Sequence, residues 1–210
     1  GDTKVVERGQ ADGVFINTTG VGVVPPGITL GGDRARPGDA IVVSGSMGDH
    51  GVAILSCRED IGFGTELASD SAALHDLVAT MLGVEPGLRC LRDPTRGGLA
   101  AVLNELAGQS GVGMHLEETA IPVREEVHAA CEFLGLDPLY AANEGKLVAI
   151  VPAESAEPVV AAMREHPLGR EAAVIGEVVD DPHGLVEMRT AFGGNRLVDW
   201  LHGEQLPRIC

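Results

Sequence analysis

Two short apolar runs constrain this chain most: "AIVVSG" at Ala40–Gly45 and "GKLVAIVP" at Gly145–Pro152. Neither alternates with polar residues, so each reads as a strand covered on both faces rather than one open to water. Such strands require helices packed against the sheet. The rest of the chain supplies them.

From Ser71, Leu74, Leu77, Val78, Met81 and Leu82 recur at helical spacing and form one apolar face, with Gly83 as the expected stop. Leu99, Val102, Leu103, Leu106 and Ala107 repeat the pattern, with Asp93 as expected N-cap, Pro94 at the first helical position and Gly108 as the close. "SMGDHGVAILSCRE" reads as a glycine turn opening a short helix, and "PVREEVHAACEFLG" and "SAEPVVAAMREH" as two further helices. "VGMHLEE", "AAVIGEVVD", "GLVEMRT" and "NRLVDW" read as strands, and "GVFINTTGVGVV" as a strand running into a loop. The fold class is α+β, with helices on a largely antiparallel or mixed sheet.

Composition narrows the function. Glycine contributes 29 of 210 residues, roughly twice the usual share, so tight turns and close backbone approaches are frequent. Acidic residues outnumber basic ones 31 to 15, for a net charge of −16. That balance argues against nucleic-acid or anionic-membrane partners, which need clustered Lys and Arg. No apolar run reaches the roughly 18 residues of a bilayer span, and no signal peptide is visible. "GDTKVV" at the start reads as the middle of a longer protein.

The cysteines are Cys57, Cys90, Cys131 and Cys210. No CxxC occurs, so the pattern is neither a zinc site nor a redox motif, and it suits a reducing cytoplasm. Cys57 and Cys131 lie in helix-like apolar stretches and are expected to be buried. Cys210 ends the chain, after a segment "LHGEQLPRIC" without periodicity that reads as a mobile tail. Two readings of that thiol stay open on physical grounds. One is an ordinary terminal residue with a pKa near about 8.5, raised further by its own α-carboxylate. The other is a nucleophile on a movable arm.

Other motifs are equally two-sided. "SGSMGDHG" offers backbone N–H groups to a phosphate at a helix start, or is a structural turn. "RDPTRGG" places Arg92 and Arg96 at another helix start, for an anion or for capping. "NEGKLV" lacks the remaining residues of a phosphate-binding P-loop. Its Glu144 stands at the mouth of a buried strand, as a base or as a strand-edge charge in water. Asp2, Thr3 and Lys4 combine a carboxylate for magnesium with an ammonium for phosphate, or form a solvated turn. His128 and Cys131 are too few for a metal site.

Taken in order, "GDTKVV", "GVFINTTGVG", "VSGSMGDHG", "SDSAALHDLV", "DPTRGGLAAVLNELA", "NEGKLV" and the terminal "PRIC" resemble one family. It is the HypE carbamoyl dehydratases of [NiFe]-hydrogenase maturation, within the superfamily of aminoimidazole ribonucleotide synthetase, selenophosphate synthetase and thiamine monophosphate kinase. The resemblance implies the C-terminal domain of the synthetase-like fold over residues 36–200. Residues 1–35 are then the remnant of an N-terminal ATP-binding domain, and residues 201–210 a mobile tail ending in a reactive cysteine.

For function, the resemblance implies a lyase. A carbamoyltransferase, HypF, loads Cys210 with a carbamoyl group, ATP drives its dehydration, and the thiocyanate supplies cyanide to iron held by the HypC–HypD complex. Cys210, Glu144 and Lys4 are the implied catalytic residues, as covalent carrier, base and phosphate-neutralising cation. Asp2, Thr3 and Lys4 are the implied ATP-binding residues, with Asp2 for Mg2+. A homodimer is implied at full length, and the chain by itself is expected to be inactive. Two alternatives remain: another ATP-dependent phosphotransferase or ligase of the superfamily, and a non-catalytic docking module.

Overall fold

A computed structural model of the chain describes residues 8, 19–58 and 68–200. Residues 19–39 are turns and irregular chain. Strand β1 (Ala40–Val43) then leads into helix α1 (Asp49–Arg58), helix α2 (His75–Val84), strand β2 (Cys90–Arg92) and helix α3 (Gly98–Ser110). Strand β3 (Gly113–Glu117), helix α4 (Glu125–Leu134), strand β4 (Val148–Val151) and helix α5 (Ala153–Glu165) follow. Strands β5 (Ala173–Val179), β6 (Val186–Arg189) and β7 (Asn195–Leu197) complete the described chain.

The strands form one seven-stranded sheet in the order β2-β4-β1-β5-β3-β6-β7, antiparallel except for the β3–β6 pair. The α+β class with a mixed sheet is therefore correct. Strands β5 and β6 flank the turn at residues 180–184 without pairing with each other, because β3 lies between them.

Both apolar runs are interior strands, and every residue of β1 and β4 is buried. Ile41, Val43, Val148 and Ile150 face a core with Leu99, Leu103 and Leu106 of α3. Val42, Ala149 and Val151 face the opposite core, with Leu77 and Met81 of α2 and Val159 and Met163 of α5. Successive strand residues thus feed two different cores, which is why these runs show no polar alternation. Helices α1 and α4 share a smaller cluster of Val52, Val127, Ala130 and Cys131.

Several local expectations are corrected. Helix α3 starts at Gly98 rather than after Asp93, because Gly97 (φ 69°) and Gly98 (φ 62°) are both left-handed and delay the helix. The Asp93 carboxylate accepts instead from Thr95 Oγ1 at 3.3 Å. The same helix runs through Gly108 and ends at the left-handed Gly111. Helix α2 starts at His75, four residues after Ser71, and continues through Gly83 to Val84. Strand β2 is additional; its three residues are too few to show a period. Cys131 is buried as expected, but Cys57 is exposed at the end of α1. Residues 19–24 form no strand; the part of "GVFINTTGVGVV" before Thr19 lies outside the described residues.

Candidate functional site

Sheet topology gathers the motifs at one end of the sheet. The antiparallel pairing Val43↔Val148 places the exit of β1 beside the entry of β4. Arg92↔Val148 brings the exit of β2 to the same end, and Val43↔Ala173 the entry of β5. The turns that follow or precede these strands therefore meet: residues 44–49, 93–98, 143–147 and 167–172. Beyond the strand ends, Ser44 extends the β1–β4 pairing. Its N–H donates to Leu147 O at 3.0 Å, and its hydroxyl accepts from the Leu147 N–H at 2.9 Å.

Asn143 ties three of these segments together and is wholly buried. Its Oδ1 accepts from the Gly48 N–H at 2.7 Å, and its Nδ2 donates to Pro94 O at 3.2 Å and Ala141 O at 3.0 Å. The Gly51 N–H donates to Ala142 O at 2.9 Å. The N–H groups of Gly48 and Gly51 in "SGSMGDHG" are thus committed inside the protein, which supports the structural reading of that turn over a phosphate cradle.

A charge cluster sits beside this knot. Lys146 Nζ lies 3.2 Å from Asp70 Oδ2 and 3.7 Å from Asp49 Oδ2. Asp49 also accepts from Ser46 Oγ at 2.5 Å and faces Arg124 Nε at 3.6 Å. Arg124 reaches on to Glu171 at 3.7 Å. Burial pushes the Asp49 carboxyl above its ordinary range, against the Ser46 hydrogen bond and the Arg124 and Lys146 charges, which pull it down, and with Asp70 adding to the rise. Asp49 Oδ1 has no hydrogen-bond partner among the described residues. A polar cleft of about 630 Å³ opens against the cluster, lined by Ser44, Asp70, Arg124, Gly145, Lys146 and Arg170 among others.

Of the expected site residues, Asp2, Thr3, Lys4 and Cys210 lie outside the described residues. Glu144 is described. It heads the turn that contributes Gly145 and Lys146 to the cleft, is partly exposed, and does not itself line the cleft. Its N–H donates to Asp70 Oδ1 at 2.9 Å. Among the described residues, no group of three or more His, Cys, Asp or Glu side chains is placed to hold a metal ion. No helix among them is long and apolar enough to cross a membrane.

Sequence reasoning missed Asp49, Asp70, Arg124, Asn143 and Lys146 as a group. The available signal was a lysine between glycine and an all-apolar strand, where an ammonium needs a buried partner.

The family model for the C-terminal domain of AIR synthase related proteins matches residues 36–189. The chain belongs to that family. Within it, the chain is 71% identical over all 210 residues to carbamoyl dehydratase HypE of Azotobacter vinelandii. It spans 62% of that relative's length. The crystal structure of hydrogenase maturation protein HypE in complex with ATP superposes with a TM-score of 0.80 at 55% identity, covering 86% of this chain and 55% of that one. The crystal structure of a HypE–HypF complex gives a TM-score of 0.79 at 43% identity, covering 82% of this chain and 56% of that one. The resemblance read from "DPTRGG", "NEGK" and "PRIC" thus extends along the whole chain.

Proposed function

We propose that this chain is the C-terminal part of an ATP-dependent carbamoyl dehydratase of [NiFe]-hydrogenase maturation, with Cys210 as covalent carrier. The observation that carries this reading is the 71% identity over all 210 residues with a carbamoyl dehydratase HypE. The knot at Asn143 adds to it, because four segments that carry the resemblance meet there.

The chemistry follows from leaving-group ability. A carbamoyl group delivered by HypF to the Cys210 thiolate gives a thiocarboxamide, S–C(=O)–NH2. Its oxygen is a poor leaving group. Transfer of the terminal phosphoryl group of ATP to that oxygen, with loss of one proton from nitrogen, gives ADP and a phosphorylated S–C(=NH)–O. Loss of phosphate and of the second nitrogen proton leaves S–C≡N. Transfer of the nitrile to iron on the HypC–HypD complex as cyanide returns Cys210 as its thiolate and takes up two electrons, which that iron-bearing partner has to supply.

Lys4 neutralises charge that develops on the transferred phosphoryl group, and Asp2 and Thr3 belong to the ATP site, with Asp2 the residue for Mg2+. Glu144 takes a proton from the nitrogen. Because loading and dehydration need different partners, the tail carrying Cys210 has to move between them.

Intact-mass analysis of the full-length protein with HypF, carbamoyl phosphate and ATP tests the reading. A carbamoyl adduct followed by its dehydrated form is expected, and neither should appear on Cys210→Ala. An adduct that persists on Cys210→Ala overturns the carrier role. Glu144→Gln should load normally and stall before dehydration. Turnover that survives deletion of Pro207–Cys210 would instead favour a phosphotransferase or ligase.

A further inference from the structure

Asp70 grips three consecutive residues of the Glu144 turn. Its Oδ1 accepts the Glu144 N–H at 2.9 Å and its Oδ2 accepts Lys146 Nζ at 3.2 Å. Between them, Gly145 packs so close that a Cβ there would lie 1.7 Å from the Asp70 carbonyl oxygen. The Asp70 side chain is only 3% exposed. Lys146 is held from the other side by Asp49, at the first turn of α1. The Glu144 carboxylate, by contrast, has no hydrogen-bond or ion-pair partner among the described residues. Its position is therefore set through its backbone.

A carboxylate is an expensive acceptor for one backbone N–H, since burying its charge costs several kcal/mol, on the order that only good pairing offsets. Lys146 supplies that pairing, and the result is a turn held at both ends and packed in the middle. A base must stand within about 3 Å of the proton it removes, and a misplacement of about 1 Å costs roughly 10²-fold in rate.

We infer that Asp70 is a positioning residue for Glu144. It holds the backbone of residues 144–146 so that the Glu144 carboxylate is presented at one place. The inference rests on the reading of Glu144 as the base of the dehydration.

The test is a double-mutant cycle in the full-length protein, following thiocyanate formation by intact mass with HypF, carbamoyl phosphate and ATP. Asp70→Ala should slow dehydration by about 10²-fold, leaving the carbamoyl loading of Cys210 and the KM for ATP unchanged. Asp70→Asn keeps a carbonyl acceptor for the Glu144 N–H and should recover most of the rate. In a Glu144→Gln background, Asp70→Ala should slow dehydration no further. If Asp70→Ala does not fold, Asp70→Ser makes the same comparison, because its hydroxyl stops short of the Glu144 N–H. Full activity of Asp70→Ala, no recovery in Asp70→Asn, or the same slowing in the Glu144→Gln background would each overturn the inference. Normal dehydration by Glu144→Gln alone is a separate result; it removes the base reading on which the inference rests.

Discussion

Lys146 and Asp70 form a buried ion pair, with Nζ 3.2 Å from Oδ2 and side chains 11% and 3% exposed. The pair joins the entry of β4 to the segment before α2, and it closes the end of the sheet where the motifs meet. Its energetic sign depends on both partners. Removing Lys146 leaves the buried Asp70 carboxylate with no cation beside it among the described residues, whereas Lys146 without Asp70 keeps Asp49 at 3.7 Å; an exposed pair of this kind would contribute little.

Lys146→Met should therefore destabilise the fold by about 3 kcal/mol or more, read from urea unfolding at pH 7. Adding Asp70→Asn should recover part of that loss. A loss below about 1 kcal/mol would place the pair with ordinary surface ion pairs.

Asn143→Ala should be as damaging without any change of charge. It removes three hydrogen bonds and leaves the buried Gly48 N–H without its acceptor. The expected cost is about 3 kcal/mol, from the lost bonds and the unsatisfied groups. Hydrogen exchange offers a second measurement: the Gly48 amide should become less protected, and unchanged protection would contradict the assignment of its partner.

Asp49 predicts a pH dependence. Its carboxyl is pushed above the ordinary value of 3.8, mainly by burial. Between 3.8 and the raised value the folded state holds a proton that the unfolded state has lost. Stability from this group is therefore highest at low pH and falls as pH rises through that window. Compared at each pH, Asp49→Asn should gain on the parent protein as pH increases through the window, then hold a constant difference above it. A difference that shrinks with rising pH would reverse the sign.

The thiols should separate by exposure. Cys57 is exposed, Cys90 is buried with its thiol pushed up by burial, and Cys131 is buried and pushed up to about 11. Peptide mapping after brief alkylation of native protein should find Cys57 modified and Cys90 and Cys131 protected until denaturant is added. Equal labelling of Cys131 would be inconsistent with its place between α1 and α4.

The local code was legible where a periodic pattern ran long enough to mark an apolar face. The apolar runs of β1 and β4 and the faces of α2 and α3 follow from side-chain spacing, whereas Gly83 and Gly108, expected as stops, lie inside their helices. Boundaries slipped where chain neighbours alone do not decide them. Asp93 and Pro94 have the chemistry of a helix start, yet the two left-handed glycines that follow move the helix to Gly98. Cys57 sits in an apolar stretch, but the described packing of α1 leaves its last turn open.

By itself the sequence determined the α+β class, most strands and helices, and the ordered motifs by which the chain resembles HypE. Those properties depend on residues near one another in the chain. The site was decided only by tertiary structure. Asp49, Asp70 and Lys146 are separated by long stretches of sequence, and nothing local marks any of them as a partner of the others. Antiparallel pairing of β1 with β4 brings the turns after one strand and before the other together. Burial then makes a lysine and two aspartates, unremarked in water, into a cluster where each charge requires the others.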